Sequence, residues 1–516
     1  MKYEFKVKKI DVTAGGKNVV VLNKEDAEDI DVGIMDRVKV KTNGKEAVAI
    51  VDLTEKYIKK GQIGCFSDLV KRLGLKNNQK VRIEPIEKPE TVEYIKKKLD
   101  GIELSKEEIN AIIRDVMRET LSDVELTALV SAMYIRGLTD KETIGLTKAI
   151  INSGATLEFK KRPILDKHCV GGVPGNRTTM IIVPIVAAAG LTIPKTSSRS
   201  ITSAAGTADT MEVLAPVSLS VEKIKEVVEK TNGCMVWGGG VNLAAADDKL
   251  IKIRHPLNLD PKGVLLASIL AKKKAVGATH VLIDIPIGLG AKVASKKEAQ
   301  ALAEDFMKIG SALGMEVNCI ITPGYDPVGQ AVGPALEARE VLKILKGEQV
   351  SPDLVEKSLV MSGLLLEMGG KVKKGQGRLL AEKILRKGEA LQKMREIIEA
   401  QGGNPDIEPE DIKIGKKSLD IYSKETGRIF LVNVKKINSI ARAAGAPKDK
   451  GAGVYLYVEK GDKVKKGQKL FTIYAESSRK LKAAQELVEK LKPIEFEKII
   501  LGEYSTERKP MVYEFH

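Results

Sequence analysis

The feature that most constrains the fold is a series of short apolar runs separated by glycine-rich turns, which begins near Arg162. Examples lie at residues 164–176, 179–190 and 280–292. Strand, glycine loop and helix in that order predict an α/β domain whose sites lie at the carboxyl ends of its strands. The chain has 516 residues, so at about 150 residues per domain it has room for about three domains.

Local patterns divide the chain into four parts. Residues 1–85 alternate apolar and polar side chains and predict an N-terminal β-rich domain. Residues 88–160 predict a helical lobe, which we expect to be completed by part of residues 240–275. Residues 161–425 predict the central α/β domain, and residues 430–516 a C-terminal α+β domain. The expected fold class is therefore a multidomain α/β protein, with a helical lobe and an α/β lobe that contains a mixed sheet.

Three helix starts in the helical lobe carry a Ser/Thr-x-x-Glu capping box, in which each end residue caps the other's backbone N–H. The boxes are Ser105 to Glu108, Ser122 to Glu125 and Thr139 to Glu142. We interpret the amphipathic helices behind them as packing elements.

Charge and composition disfavour several kinds of protein. Lys and Arg number 85 against 69 Asp and Glu, a net charge of +16, but aromatic residues make up only 4%. Single-strand-binding proteins stack bases on aromatic side chains, so no nucleic-acid partner is expected.

Lys and Glu are abundant while Gln is scarce, which is a bias of proteins from hot environments.

The sequence also predicts a cytoplasmic protein without a membrane partner. The longest apolar stretch, residues 180–191, is too short to span a bilayer and contains a proline and a glycine. The N-terminus has no apolar signal core. The four cysteines lie far apart without a CxxC pair, so reduced thiols are expected.

The first segment that carries chemistry is residues 166–179, a glycine loop that leads into an apolar, helix-like stretch. Backbone N–H groups and the positive end of a helix dipole suit an anion there. Lys167 and Arg177 are expected to add full charges. The P-loop pattern GxxxxGK[ST] is absent, and on these residues alone a tight structural turn remains the alternative.

The second segment, residues 195–209, carries six side-chain hydroxyls before Gly206, with Arg199 among them. Such a density of donors suits phosphate or sugar oxygens. A polar loop that caps a helix is the alternative. Two such segments favour a ligand with more than one anionic group.

Several ordered motifs resemble the thymidine and pyrimidine-nucleoside phosphorylases over roughly residues 88–510. They are DKH-x-x-GG at Asp166–Gly172, Ser-x-Arg followed by GT-x-D at Ser197–Asp209, ASILAKK at Ala267–Lys273, IGLGAK at Ile287–Lys292 and EAQGGNP at Glu399–Pro405. The N-terminal extension is similar to that of the archaeal nucleoside-monophosphate phosphorylases. The resemblance implies a pentosyltransferase that converts AMP and phosphate to adenine and ribose 1,5-bisphosphate, with CMP and UMP as further substrates.

The resemblance assigns the phosphate-binding residues one by one. Lys167 matches the family's phosphate lysine, Ser197 its serine and Thr207 the threonine of its GT-x-D turn. Cys169 replaces a serine of the nucleoside enzymes, and a thiol is a weak donor. Part of that phosphate contact must therefore move to Thr179 or Thr178, or to backbone N–H groups.

For the nucleotide, the resemblance makes Asp260 the proton donor. Burial would have to raise the pKa of its carboxyl, and a helix-capping role before Pro261 is the alternative. It implies nucleotide contacts from Gly172, Ser198, Arg199, Ser200, Ile201, Thr202, Ser203, Thr207, Ser268 and Lys292. Arg254 and Lys272 are candidates for base or sugar contacts. His168 is either a ligand contact or a structural support.

No cluster of His, Cys and Asp has the spacing of metal ligands, so no metal is expected. No organic cofactor is expected either, and inorganic phosphate is counted as a co-substrate. Family members dimerise through the helical lobe, so a homodimer or larger homo-oligomer is expected. Two alternatives remain open: a thymidine or pyrimidine-nucleoside phosphorylase that acts on nucleosides, and a nucleic-acid-binding protein built on an inactive phosphorylase scaffold.

Overall fold

The computed structural model describes residues 3–171, 173, 175–200, 203–257, 259–288, 291–497, 503–505 and 508–511. The chain forms two compact units: Met1–Ser153 with Ala245–Leu265, and Gly154–Ala244 with Leu266–His516. Among the described residues, no helix combines the length and apolarity that a bilayer crossing requires.

The N-terminal part is a closed six-stranded barrel with two short helices. Its elements are β1 (Tyr3–Ile10), β2 (Val19–Asn23), α1 (Lys24–Asp29), β3 (Arg37–Thr42), β4 (Lys45–Thr54), β5 (Gln62–Phe66), α2 (Ser67–Leu73) and β6 (Lys80–Ile86). The strand order is β1-β5-β2-β4-β3-β6. Alternate residues of β3, Val38 and Val40, are fully buried inside it. Asn43 and Gly44, at φ of 43° and 75°, form the tight turn from β3 to β4.

The helical lobe follows in the same unit. Its helices are α3 (Thr91–Leu99), α4 (Lys106–Arg118), α5 (Asp123–Arg136) and α6 (Asp140–Asn152). The three capping boxes predicted at the starts of α4, α5 and α6 are confirmed, with both reciprocal hydrogen bonds formed in each.

The α/β part alternates strands and helices. Its elements are β7 (Leu165–Cys169), α7 (Thr178–Ala188), β8 (Ile193–Ser197), α8 (Thr207–Met211), α9 (Val221–Thr231), β9 (Gly233–Trp237), α10 (Ala245–Arg254), α11 (Lys262–Ala275), β10 (His280–Ile287), α12 (Lys296–Ala312), β11 (Glu316–Pro323), β12 (Ala331–Val332), α13 (Pro334–Leu345), α14 (Pro352–Met368), α15 (Gly377–Arg386) and α16 (Glu389–Ala400). Of these, α10 packs on α4 and α5 in the first unit.

Parallel pairing joins β11, β10 and β7 in one sheet and β8 with β9 in another. A bridge from Ile164 to Thr192 links the two sheets beside β7 and β8. Helix α7 packs against α14 and α16 and is buried from Thr178 to Ala187, because its sequence is apolar on every face. The carboxyl end of β7 and the N-terminus of this buried helix are thereby held close together.

The C-terminal part is α+β. Its elements are β13 (Lys417–Tyr422), β14 (Gly427–Val432), α17 (Val434–Ala443), β15 (Gly453–Leu456), β16 (Lys463–Val464), β17 (Lys469–Ala475), α18 (Ser478–Leu491), β18 (Ile494–Phe496), β19 (Glu503–Ser505) and β20 (Arg508–Met511). Its main sheet, of order β12-β15-β17-β13, pairs antiparallel. The chain thus combines parallel and antiparallel sheets with a helical lobe, and the predicted fold class is confirmed.

Candidate active site

Lys167, near the carboxyl end of β7, lies at the centre of the candidate site. It is 2% exposed, and its Nζ donates to Thr178 Oγ1 at 2.7 Å and to Thr179 Oγ1 at 3.4 Å. Both threonines lie in the first turn of α7, where backbone N–H groups have no partner within the helix. Burial lowers the pKa of Lys167. A cation, two hydroxyls and a helix N-terminus at one point suit an oxyanion such as phosphate.

The cysteine that replaces the family serine lies beside this cluster as a neutral thiol. Asn176 Nδ2 donates to Cys169 Sγ at 3.4 Å, and Thr178 Oγ1 donates to Asn176 Oδ1 at 3.3 Å. Burial raises the pKa of Cys169 to about 11. The thiol therefore places no negative charge next to Lys167 at neutral pH.

Arg177 does not supply a free charge to the anion site, contrary to the sequence-based expectation. Its guanidinium pairs with Glu337, which is fully buried, and Nη2 donates to Ala205 O at 2.7 Å. Thr210 Oγ1 donates to the same carboxylate at 3.0 Å. The arginine instead ties the glycine loop to the hydroxyl-rich loop.

Asp209 organises the hydroxyl-rich loop between β8 and α8. Its Oδ2 accepts the backbone N–H groups of Ser200 at 2.7 Å and of Gly206 at 2.9 Å. A Cβ at Gly206 would lie 2.7 Å from both Ser198 O and Ser200 N. The loop therefore closes on itself at a point that only glycine fits.

Arg199 braces the same loop from outside. Its Nη1 donates to Glu212 at 2.7 Å and to Asp209 at 3.4 Å, and its guanidinium lies 4.9 Å from the ring centroid of Trp237. Hydrogen bonding to Glu212 raises the pKa of Arg199. This cation is thus already bound by carboxylates of its own chain.

The serines of the loop face different partners. Ser197 ends β8 and is half-buried, and Ser198 is exposed. Ser200 Oγ donates to Ser203 O, and Ser203 Oγ donates to Ala205 O at 2.8 Å. Thr207, half-buried, begins α8. Gly172, Ile201 and Thr202 lie outside the described residues.

Helix α17 of the C-terminal part also contacts this loop. Asn438 Oδ1 accepts from Ala204 N at 2.5 Å, and Arg442 Nη1 donates to Ser203 O at 3.1 Å. The C-terminal part therefore helps to fix the loop's backbone.

A buried ionic cluster supports β7 from its other face. Asp166 pairs with Lys273 at 2.8 Å and with Lys195 at 3.4 Å, and Lys195 Nζ donates to Lys167 O at 2.7 Å. Burial, followed by the charges of Lys273 and Lys195, lowers the pKa of His168 well below its ordinary value. His168 is therefore a neutral imidazole at physiological pH, suited to accept or donate a hydrogen bond but not to store a proton.

The remaining candidates of the second unit come from α11 and the loop after β10. Ser268 is 6% exposed, and Lys272, one turn later on α11, is half-buried. Lys292 is exposed and precedes Val293, which bridges back to Ile287. Lys273, which binds Asp166, is the next residue after Lys272, the candidate from the sequence analysis.

Asp260 and Arg254 belong to the first unit. Arg254 Nη1 donates to Asp260 Oδ1 at 2.7 Å. The Arg254 side chain is 8% exposed, but that of Asp260 is 47% exposed. The Asp260 carboxyl is therefore not buried, and Arg254 is the buried member of the pair.

Sequence reasoning missed a second polar cluster that Asp284, Thr322 and Lys357 form. Thr322 Oγ1 donates to Asp284 Oδ1 at 2.6 Å, and Lys357 Nζ lies 3.0 Å from Asp284 Oδ2. The sequence does contain a sign of this cluster, since Asp284 is the single charged side chain between Val281 and Ile287 of an apolar strand.

Among the residues described, no group of His, Cys, Asp and Glu could hold a metal ion.

Family models match three parts of the chain. The helical bundle domain of a glycosyl transferase family matches residues 92–154, and the a/b domain of that family matches residues 161–391. The C-terminal domain of pyrimidine nucleoside phosphorylase matches residues 431–495. A crystal structure of anthranilate phosphoribosyltransferase from Thermus thermophilus covers 60% of this chain and 98% of its own, with a TM-score of 0.50 at 21% identity. That likeness concerns the fold.

Curated relatives match almost the whole chain. AMP phosphorylase of Pyrococcus furiosus is 49% identical over 96% of this chain and 98% of its own. AMP phosphorylases of Methanococcoides burtonii and Thermococcus kodakarensis are 46% and 47% identical over 96% and 94% of this chain, and over 98% and 96% of their own. The similarity includes the N-terminal barrel, which the three family models leave out.

Proposed function

The chain belongs to the AMP phosphorylase family, and on that premise we propose that it converts AMP and inorganic phosphate to adenine and ribose 1,5-bisphosphate. The observation that carries this proposal is the 49% identity to an AMP phosphorylase over 96% of the chain. The cluster of Lys167 with Thr178 supports it, because phosphorolysis needs a bound phosphate nucleophile.

In this reaction a phosphate oxygen bonds to C1′ of the ribose while the bond from C1′ to the base nitrogen breaks. The electron pair of that bond moves to the base, and the sugar carries positive charge in the transition state. We propose that Lys167, Thr179, Ser197 and Thr207 hold the phosphate, with Thr178 beside them. A fixed cation and hydroxyls position the nucleophile and need no reorganisation as charge develops.

The leaving adenine needs a proton, and we propose Asp260 as its donor. General acids of this kind contribute about 10²- to 10⁴-fold in rate. Arg254, which already holds the Asp260 carboxyl, would direct it toward the base. Because Asp260 is 47% exposed, we propose that the bound base covers its carboxyl.

We propose that residues 198–203, Thr207, Gly172, Ser268 and Lys292 contact the nucleotide. The hydroxyls of the loop and the exposed ammonium of Lys292 would bind the 5′-phosphate, which nucleosides lack. Since that phosphate is common to all nucleotides, CMP and UMP are proposed as further substrates. His168, Lys272 and Arg254 are proposed to contact the sugar or the base.

Phosphate-dependent base release from AMP, CMP, UMP, adenosine and thymidine tests this proposal. We expect turnover of the three nucleotides and little turnover of the nucleosides. Faster release from adenosine or thymidine would favour a nucleoside phosphorylase. No phosphorolysis, together with salt-dependent retention on DNA, would favour the nucleic-acid-binding alternative. Asp260→Asn should lose activity about 10²- to 10⁴-fold, and undiminished activity would remove Asp260 from the mechanism.

We also propose a homodimer or larger homo-oligomer, a cytoplasmic location and a reaction without metal or organic cofactor. The four cysteines are free thiols, which suits a reducing compartment. Light scattering of the purified protein tests the oligomer, with a monomer as the contrary result. If the reaction needs no metal, activity should survive treatment with a chelator.

A further inference from the structure

The cluster of Asp284, Thr322 and Lys357 has no part in the reaction as described so far. Asp284 is fully buried on β10, and Lys357 extends from α14 with 11% of its side chain exposed. Lys357 Nζ also lies 3.0 Å from Thr322 Oγ1, so three polar groups of distant segments converge. Buried charges of this kind are costly and persist where each has a partner.

The cluster lies next to the phosphate lysine. In the parallel pairing of β7 with β10, Asp284 stands opposite Cys169, two residues after Lys167. Side chains of a strand alternate between faces, so Lys167, Cys169 and Asp284 share one face of the sheet. Burial raises the pKa of Asp284, but the charges of Lys357 and Lys167, together with hydrogen bonds from Thr322 and Lys357, bring the pKa below its ordinary value.

The charges of this face do not balance. Lys167 and Lys357 carry two positive charges, and Asp284 carries one negative charge. Cys169 is a neutral thiol, and Arg177 is balanced by Glu337. Among these described groups the sum is one positive charge, which we assign to Lys167, whose described Nζ partners are the two threonine hydroxyls.

We propose that Lys357 is a positioning residue for the phosphate co-substrate, which acts by engaging Asp284 and so keeps Lys167 available to phosphate. The inference rests on the proposed function and deepens it. Asp284 favours the charged form of the buried Lys167. Without Lys357 the same carboxylate would pair with Lys167 and repel phosphate. With Lys357 and Thr322 in place, the Asp284 carboxylate stays bound to these two residues and does not pair with Lys167.

Four versions of the site have defined net charges. The wild type has a net charge of +1, Lys357→Met has 0, Asp284→Asn has +2, and the double variant Asp284→Asn/Lys357→Met returns to +1. Steady-state kinetics with phosphate varied at saturating AMP, and with AMP varied at saturating phosphate, separates the two substrates.

Lys357→Met is expected to raise the KM for phosphate at least about tenfold, because one partner of a buried charge pair is removed. The KM for AMP should stay within about twofold of that of the wild type. The double variant should recover a KM for phosphate within about threefold of the wild type, since no unpaired carboxylate faces Lys167. Lys357→Arg keeps the charge and should behave like the double variant.

The matched control is Lys343→Met, which removes a surface lysine 3.7 Å from Glu348 and should leave both KM values unchanged. An unchanged KM for phosphate in Lys357→Met would overturn the inference. So would equal increases in both KM values, or a double variant no better than the single one. If Lys357→Met does not fold, a KM for phosphate more than about threefold above that of the wild type in the double variant or in Lys357→Arg would still overturn the inference. Absence of AMP phosphorolysis in the wild type would refute the proposed function instead.

Discussion

The ammonium group of Lys167 lies 2.7 Å from the hydroxyl of Thr178, although one residue lies on a strand and the other on the following helix. The glycine loop between them is short, so the end of β7 and the start of α7 stay adjacent. Thr179, the neighbour in the same turn, is 3.4 Å from the same nitrogen. The two threonines thus hold a buried cation at a helix N-terminus.

Replacing either threonine with valine removes one hydroxyl at nearly constant volume. A hydrogen bond to a charged group contributes about 1.5–3 kcal/mol, so Thr178→Val should raise the KM for phosphate about tenfold or more. Thr179→Val should also raise the KM for phosphate, because Thr179 is proposed to hold the phosphate directly, although its contact with Lys167 is longer at 3.4 Å. Kinetics with phosphate varied at saturating AMP measures both. Equal effects on the KM for AMP would contradict this account.

Gly206→Ala should disrupt the hydroxyl-rich loop. The added methyl would lie 2.7 Å from Ser198 O and Ser200 N, which are backbone atoms that cannot move without opening the loop. We expect kcat/KM for AMP to fall at least about 100-fold, since misplacement of about 1 Å has effects of this size. Gly238→Ala is the control, because its Cβ would meet Thr196 Cβ at an ordinary 3.6 Å. Similar losses in both variants would contradict the prediction.

Local features of this fold could be predicted from the sequence because their partners are close in the chain. The capping boxes join residues three apart, such as Ser105 and Glu108. The glycine loop of residues 166–179 runs from a strand into a helix, which brings Lys167 to Thr178 over a separation of 11 residues. Alternation in β1 and β3 predicted strands in the N-terminal part, because alternation is a property of a single strand and does not depend on where its partner strand lies in the chain.

Contacts between distant segments could not be predicted in this way. Arg177 meets Glu337 across 160 residues, and that pairing removes the charge expected at the anion site. Asp284 and Lys357 meet because α14 packs on β10, which periodicity alone does not reveal. The apolar neighbours of Asp260 permit burial but do not require it, and its side chain is 47% exposed beside the buried Arg254.

Glu340 on α13 should make stability depend on pH. Burial raises the pKa of its carboxyl from 4.5 to about 7, although hydrogen bonds from Ser351 and Gln330 oppose that shift. Between these two values the native state keeps a proton that the unfolded chain has lost. The free energy of unfolding should therefore fall as pH rises through this window, by up to about 3 kcal/mol, and then level off.

Glu340→Gln keeps an acceptor for those donors and removes the titration. Urea unfolding at pH 5 and pH 8 should show that the variant loses less stability than the wild type as pH rises. At pH 8 the variant should be the more stable protein. A wild type that gains stability relative to the variant between these pH values would show that Glu340 does not titrate as described.

The helical lobe contains a buried ion pair whose loss should be costly. Lys98 Nζ lies 2.7 Å from Glu142 Oε1, with side chains 4% and 0% exposed. Lys98→Met would leave the Glu142 carboxylate buried without its cation, so about 3–5 kcal/mol of unfolding free energy should be lost. Lys96→Met, which breaks an exposed pair with Glu93, is the matched control and should change stability little. Chemical denaturation of both variants makes the comparison, and equal losses would be the contrary result.

The reaction proposed for this chain transfers the phosphoribosyl group of AMP to inorganic phosphate. Phosphorus NMR of the protein with AMP and phosphate follows both phosphorus atoms of the product directly. The signal of inorganic phosphate should decline in step with adenine release, and a sugar 1,5-bisphosphate should appear in equal amount. Adenine release without consumption of phosphate, or no reaction of AMP while adenosine or thymidine is cleaved, would contradict this proposal.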